Sequence, residues 1–120
     1  MTLDDRFDDL AAGLGGFHQT WIAYLGIELG LVARLREAGP GGLSAAELAA
    51  ACGCQLDPIY AWSRAAHAAG LVAIDGDRVI VDPDVARILL DDKRPEYLGG
   101  QFVSTIVSSL DYEGLADFVR

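Results

Sequence analysis

Two histidines and two cysteines are the residues whose chemistry is easiest to assign from type and spacing. Cys52 and Cys54 flank a single glycine, which is too tight for an easy disulfide, and no further Cys or His lies near enough in sequence to complete a zinc set. Neither His18 nor His67 has a Ser, Cys or carboxylate arranged around it in a recognisable catalytic pattern. The sequence therefore predicts reduced thiols, no metal site and no catalytic residue.

The residues around His18 could bind a ligand. Phe17, His18, Trp21 and Tyr24 fall within two turns of one predicted helix. An aromatic stripe at this spacing most often belongs to a hydrophobic core. Alternatively, these side chains partly line a pocket for an aromatic or polyketide-like substrate, because flat rings give contact area and a few polar atoms give orientation.

Further along the chain, a helix with an apolar side has an uncharged polar side. That side carries Gln101, Thr105 and Ser108. It is either exposed to solvent or forms the floor of a substrate cleft, and the sequence leaves both open. Glu28 interrupts an apolar helix, and we expect it at the edge of the buried face.

Composition and charge exclude several classes of protein. The 120 residues are 52% hydrophobic, enough for one domain with its own core, and the net charge is −9. Such a charge repels nucleic acid and anionic membranes, and the basic residues form no cluster larger than a neighbouring pair. The apolar run 21–33 is too short to span a bilayer, and the acidic first residues are unlike a secretory signal, which predicts a cytoplasmic protein.

The order of helical and β-prone segments predicts the fold. Ser44 and Glu47 have the spacing of a capping box, Gly53 is a natural helix stop, Asp57-Pro58 has the form of an N-cap and first turn, and Asp75-Gly76 is a hairpin turn. We predict a mainly α fold, a winged helix-turn-helix with a small β-hairpin wing and additional N- and C-terminal helices. The predicted helices are about 3–14, 17–37, 44–52, 57–69, 83–90, 96–110 and 112–120, with the hairpin at about 71–81.

Two features of this prediction concern partners. Gly13, Gly15 and Gly16 are expected to end the first helix, and the helix from Phe17 to about Glu37 is apolar on nearly every face. A single domain of this size can hardly cover it, so we expect a subunit or interdomain interface there, with a homodimer formed through Phe17 to Leu35. The last helix has no C-cap or breaker before Arg120 and looks interrupted rather than finished, and the sequence leaves open whether the chain is a fragment or a stand-alone protein.

Several motifs together resemble a known family. They are the segment 25–31 (LGIELGL), the helix start 43–49 (LSAAELA), the passage 68–72 (AAGLV) into the wing, and the segment 94–100 (RPEYLGG). In order and spacing they resemble the N-terminal winged-helix region of class I S-adenosylmethionine-dependent methyltransferases of bacterial secondary metabolism, over about residues 15 to 115.

The resemblance implies a dimerisation and substrate-capping module. In that family, catalysis belongs to a following Rossmann-like domain, and residues of the aromatic helix and of the segment matching Tyr97 to Thr105 approach the substrate. The substrate-facing candidates are thus Phe17, His18, Trp21, Tyr24, Tyr97, Gln101, Phe102 and Thr105. No strand with a glycine-rich turn for the cofactor is recognisable, so we expect no S-adenosylmethionine site in this chain and no catalysis by it alone, with a partner catalytic domain supplying both.

Two other functions remain open at this point. A winged helix could bind DNA as a transcription regulator, with Gln55, Tyr60 and Arg64 reaching base edges. Against this, residues 43–82 hold five acids and two arginines, and Asp75 and Asp77 stand at the wing tip. Alternatively, the chain is a stand-alone small-molecule-binding protein or enzyme that uses the aromatic helix as its pocket, which requires an enclosed cavity.

Overall fold

The computed structural model describes all 120 residues as a mainly helical chain with one small antiparallel sheet. The helices are α1 (Leu3–Glu28), α2 (Leu31–Ala38), α3 (Ala45–Cys52), α4 (Leu56–Ala68), α5 (Pro83–Leu90), α6 (Gly99–Ser109) and α7 (Leu115–Val119), with 3₁₀ turns at Gly39–Gly41 and Leu110–Gly114. The strands β1 (Leu43–Ser44), β2 (Val72–Asp75) and β3 (Arg78–Val81) lie in the order β1-β3-β2. No helix is both long enough and apolar enough to cross a membrane.

The first helix is continuous, so the predicted break at Gly13–Gly16 is wrong. A capping box begins α1: the Asp5 amide donates to Thr2 Oγ1 at 3.1 Å, and the Thr2 amide donates to the Asp5 carboxylate at 2.9 Å. None of the three glycines adopts a positive φ. A glycine weakens a helix by only about 1 kcal/mol and ends it reliably only where the left-handed conformation is required.

The predicted helix 17–37 is also wrong as a single element. It divides at Gly30, whose φ of 74° is left-handed, and α2 begins at Leu31 in a new direction. The change of direction turns Leu31, Val32 and Leu35 into the core, where each is at most 1% exposed. Glu28 lies exposed at the end of α1, at the expected edge.

The helix starts around α3 and α4 follow the predicted chemistry in part. Ser44 Oγ accepts from the Glu47 amide and the Glu47 carboxylate accepts from the Ser44 amide, both at 3.1 Å, so the capping box is confirmed. Gly53 ends α3 with a φ of 66°. The prediction for Asp57 is wrong, because Gln55 is the N-cap and Asp57 lies within the first turn. Pro58 is tolerated there because the first amides of a helix have no intrahelical acceptor.

The predicted hairpin is present and gains a third strand. Gly76, with a φ of 61°, lies in the turn between β2 and β3, and Val72 pairs with Val81. The short strand β1 adds to β3 through the pair of Leu43 and Val79. A Cβ on Gly42 would lie 2.3 Å from the Val79 carbonyl oxygen, so glycine is needed where β1 approaches β3.

Side chains from the five helices α1 through α5 and from the sheet form a single hydrophobic core. The side chains of Leu31, Leu35 and Leu48 are completely buried, and the indole nitrogen of Trp62 donates to the Ile22 carbonyl at 3.0 Å. From Ala23 onward, most apolar side chains of this segment are covered inside this chain, because the division at Gly30 folds its second half back on its first, whereas Leu29 remains 41% exposed. That a homodimer interface lies on this segment stays a prediction.

Helix α5 has the predicted bounds, whereas α6 and α7 are shorter than predicted. Asp82 caps α5 through its carboxylate, which accepts from the amides of Asp84 and Val85 at 2.7 and 3.3 Å. Helix α6 starts at Gly99 because the preceding residues turn and the Leu98 amide donates to the Ile88 carbonyl at 2.8 Å. Helix α7 starts at Leu115, after the 3₁₀ turn.

Candidate functional site

An open cleft between α1 and the first half of α6 brings several predicted residues together. It has a volume of about 200 Å³ and is lined by Thr20, Leu98, Gln101, Phe102 and Thr105. Gln101 and Thr105 lie one helical turn apart on the same exposed face, whereas Phe102 is half-buried and packs against the core. Gln101 and Thr105 thus border an open cleft and are also exposed to solvent, whereas Ser108 is exposed outside it.

The polar groups of this cleft are neutral. Thr20 Oγ1 donates to the Gly16 carbonyl at 2.7 Å, so its oxygen keeps acceptor capacity toward the cleft. Gln101 supplies an amide and Thr105 a hydroxyl, and no charged side chain lines the cleft. Such a lining suits an uncharged molecule with a flat apolar body and a few hydroxyl or carbonyl groups.

A second hollow continues the cleft on the other side of Leu98 and Phe102, which line both. It measures about 150 Å³, and its other walls are mainly apolar side chains of β2-flanking Leu71 and of α5. Gln19 borders this hollow, and its side-chain nitrogen donates to the Ala69 carbonyl at 2.9 Å. This hydrogen bond ties α1 to the end of α4 directly beside the cleft.

The start of α6 is packed too tightly for any residue but glycine. A Cβ on Gly99 would lie 2.0 Å from the Leu89 carbonyl oxygen and 2.8 Å from the ring of Tyr97. Tyr97 is half-buried and its ring also faces Gly100. Tyr97 therefore lies against the first turn of α6, and it does not line the cleft formed by Gln101, Phe102 and Thr105.

The four predicted aromatic-helix residues are distributed along α1 and do not form one pocket. Trp21 and Tyr24 are half-buried and meet edge to face, with ring centroids 5.7 Å apart at 84°. Phe17 is 52% exposed and contacts His18 edge to face. His18 lines a separate shallow hollow against the alanines of α4. The eight candidates thus lie in four places: Gln101, Phe102 and Thr105 in the cleft, Tyr97 before the first turn of α6, Trp21 with Tyr24, and Phe17 with His18.

Sequence reasoning missed Thr20 and Leu98, which complete the cleft. Thr20 lies one turn before Tyr24 on the aromatic helix, and Leu98 lies one turn before Phe102. The helical spacing could have identified both once α1 and α6 were known to be neighbours. That contact is tertiary, so the sequence alone does not show it.

The first 19 residues form a surface of a different kind, which we call the arm. Every residue from Met1 to Gln19 is exposed. Five large apolar side chains follow one another along α1 in this segment with exposed fractions of 84, 68, 78, 65 and 52%: Leu3, Phe7, Leu10, Leu14 and Phe17. Nothing in this chain covers them.

The surface formed by α3, α4 and the β2–β3 hairpin carries little free positive charge. Arg78 forms an ion pair with Glu47, and Arg64 lies 5.9 Å from the ring centroid of Tyr60. Hydrogen bonds from Ser44, with a contribution from Arg78, hold the pKa of Glu47 below its usual range. The exposed acids Asp75 and Asp77 flank the wing turn. The local electrostatics therefore disfavour a phosphate backbone at this surface.

The remaining titratable residues have local roles. The Cys52 thiol lies 3.7 Å from the Gly30 carbonyl oxygen, and burial raises the pKa of this thiol, which disfavours the reactive thiolate. Both cysteines are free. His67 Nδ1 lies 3.2 Å from the Val72 carbonyl oxygen and links α4 to β2. No group of three His, Cys, Asp or Glu side chains is arranged to hold a metal ion.

Comparison with known proteins finds this fold within a larger protein. It is similar to the structure of an O-methyltransferase family protein from Burkholderia thailandensis. The TM-score is 0.68 at 20% sequence identity, and the match covers 95% of this chain and 33% of that chain. This chain therefore spans about a third of the length of the solved protein that it matches. No family model and no curated protein match the sequence.

Proposed function

We propose that this chain is the N-terminal dimerisation and substrate-capping domain of an S-adenosylmethionine-dependent small-molecule methyltransferase, and that it does not transfer methyl groups by itself. Its fold is shared with one third of an O-methyltransferase family protein. The element order α2-β1-α3-α4-β2-β3 and the sheet order β1-β3-β2 support the winged-helix assignment in this proposal. The acids at its wing suit a protein or substrate contact better than DNA.

The observation that carries the dimerisation part is the bare apolar stripe on the arm. A helix segment of this length is marginal in water, and three glycines weaken it further. Contiguous exposed apolar residues mark an interaction surface. A second copy of the chain covers this stripe in our proposal, which moves the interface from the predicted Phe17–Leu35 segment to the preceding residues.

The substrate-capping part rests on the cleft between α1 and α6. The cleft is open and measures about 200 Å³, so it encloses only part of an aromatic or polyketide-like substrate. In our proposal a partner catalytic domain closes the rest. Gln101 and Thr105 then orient the substrate through hydrogen bonds, and Phe102 contacts its flat face.

The residues of this chain do not fit an S-adenosylmethionine site. A class I site requires a glycine-rich turn between a strand and a helix, followed by an acidic residue at the end of the next strand. Gly13, Gly15 and Gly16 lie inside α1, and Gly76 joins two antiparallel strands. We therefore assign cofactor binding and methyl transfer to the partner catalytic domain.

Sedimentation velocity at micromolar concentration tests the proposal. We expect the wild-type chain to sediment as a dimer, and Leu10→Asp to sediment as a monomer with the melting temperature of the dissociated wild-type chain, because the Leu10 side chain is 78% exposed. Leu3→Asp, at the end of the stripe, is the comparison variant, and it should weaken the dimer less than Leu10→Asp. A monomeric wild-type chain would refute dimerisation, and measurable S-adenosylmethionine binding by calorimetry would refute the assignment of the cofactor site elsewhere.

A further inference from the structure

We infer that two arms pack against each other in antiparallel orientation, with their axes crossing beside Ala11 and Gly13. The inference rests on the proposed dimerisation and specifies its direction and register. The surface concerned is the arm together with the half-buried Trp21. The occupant is the same surface of a second copy.

The spacing of the stripe indicates a helix pair. The apolar residues follow at alternating intervals of four and three: Leu3, Phe7, Leu10, Leu14, Phe17 and Trp21. An average interval of 3.5 residues keeps a seam facing one partner helix along its whole length. A helix that packs broadly into a globular core shows a wider apolar face with a period nearer 3.6.

The charges on the arm decide the direction. The charged residues Asp4, Asp5, Arg6, Asp8 and Asp9 all lie in its first half, and residues 10–20 include no Asp, Glu, Lys or Arg. A parallel pair would place four acids beside the same four acids of the second copy, where like charges repel. An antiparallel pair places them beside the uncharged half.

We call the six apolar residues Leu3, Phe7, Leu10, Leu14, Phe17 and Trp21 the seam residues. The register is the alignment in which each of them contacts the second arm. The seam residues are of two kinds, those followed by an interval of three residues and those followed by an interval of four. In an antiparallel pair, a residue of one kind faces a residue of the other kind. One alignment pairs Leu3 with Trp21, Phe7 with Phe17, and Leu10 with Leu14, each pair occurring twice by symmetry. A shift of one heptad pairs Phe7 with Leu10 and leaves Phe17 and Trp21 uncovered, so it buries less apolar surface.

The residues beside the seam agree with this alignment. Asp4 comes beside His18 of the second arm, which gives a carboxylate and an imidazole within reach of each other. Ala11 and Gly13 each come beside their own copies at the crossing point. A Cβ on Gly13 meets nothing within 4 Å in one chain, so the space beside it is free for the second arm. Small side chains there allow a close approach of the two helix backbones.

Thiol crosslinking tests the direction in a background in which Cys52 and Cys54 are serine. A reagent with a short spacer should join Ala11→Cys to itself and should not join Ala12→Cys, which points away from the second arm. Neither substitution removes a seam residue, so both variants should remain dimers. Differently tagged Phe7→Cys and Phe17→Cys chains should crosslink when mixed. Neither should crosslink alone, because the identical positions lie roughly 15 Å apart along the axis.

Each result has a distinct meaning. Crosslinking of Phe7→Cys to itself, or of Ala12→Cys in preference to Ala11→Cys, in a protein that still sediments as a dimer would overturn the antiparallel register and leave the proposed function standing. A wild-type chain that sediments as a monomer would overturn both. Crosslinking of the mixed pair and of Ala11→Cys supports both.

Discussion

The two halves of α1 differ sharply, although they belong to one unbroken helix. Residues Leu3 to Gln19 are all exposed, whereas Ala23 is completely buried and Gly26 lies against Val32 and Trp62. Burial in this chain therefore explains the second half and not the first. The contrast teaches that an apolar helix in a sequence can serve two surfaces, the core of its own chain and an interface with another.

The glycines show the same contrast. A Cβ on Gly13, Gly15 or Gly16 would meet no atom within 4 Å, whereas a Cβ on Gly26 or Gly99 would meet a neighbour at 2.9 or 2.0 Å. In the packed part, glycine permits close contact between elements. In the arm, it leaves space that nothing in this chain fills.

The largest expected difference between the two regions comes from removing a leucine side chain. Leu35→Ala should lower the free energy of unfolding by about 2–5 kcal/mol, because Leu35 is fully buried and the substitution leaves a cavity. Leu10→Ala should leave the melting temperature of the dissociated chain unchanged and weaken the dimer. Denaturant unfolding below and above the dimer dissociation constant measures both. Equal losses at low concentration would contradict the contrast.

The next effect concerns the start of α6 beside the candidate cleft. Gly99→Ala should destabilise the chain by about 1–3 kcal/mol, because the new methyl group overlaps the Leu89 carbonyl and pushes α6 away from α5. Gly100→Ala is the matched control, since its Cβ would lie in ordinary contact, 3.5 Å from the Tyr97 ring. Thermal melts compare the two, and equal melting temperatures would show that α6 packs more loosely than described.

The two capping boxes should differ in the same sense. Ser44→Ala should cost about 1 kcal/mol of global stability, because α3 is part of the core and loses the acceptor for the Glu47 amide. Thr2→Ala removes the equivalent acceptor for the Asp5 amide at the arm and should only fray the first turn of α1. Chemical denaturation detects the first effect, and amide hydrogen exchange detects the second. A global loss from Thr2→Ala would mean that the arm folds together with the body.

The smallest effect should come from Gly16, and the comparison with Gly30, which likewise carries no contact, should reverse its sign. Gly16→Ala should stabilise the helix of the arm by about 0.5–1 kcal/mol, because alanine restricts the unfolded chain and φ is negative here. Gly30→Ala should instead destabilise by about 1–2 kcal/mol, because φ is +74° and that conformation is strained for alanine. Hydrogen exchange in α1 measures the stabilisation by Gly16→Ala, and thermal melts measure the destabilisation by Gly30→Ala. A stability change of the same sign in both variants would contradict the backbone conformations of these two glycines.

Much of the packed part could be predicted from local sequence chemistry. The Ser44 capping box, the stop at Gly53, the Asp82 cap and the turn at Gly76 each depend on residues close in sequence, so their patterns identify them directly. The errors in the bounds of the first two predicted helices came from glycines. Gly13, Gly15 and Gly16 resemble a stop, yet Gly30 is the residue with the left-handed φ, and only the packing of α2 on the core requires it there.

The candidate cleft was predictable only in part, because it joins elements far apart in sequence. The helical pattern of the sequence identified the polar face with Gln101 and Thr105. It did not decide whether this face lies in solvent or in a cleft. The packing of α6 on α1 brings this face beside Thr20, and no local sequence pattern predicts that contact. The substrate-facing role of the eight candidates stays a prediction.

The most direct test of the central claim is amide hydrogen exchange measured at protein concentrations below and above the dimer midpoint. If a second copy completes the arm, amides of residues 3–19 should exchange fast in the dilute sample and become protected in the concentrated one, while amides in α4 and β3 stay equally protected in both. Protection of the arm that is the same at every concentration would contradict the account.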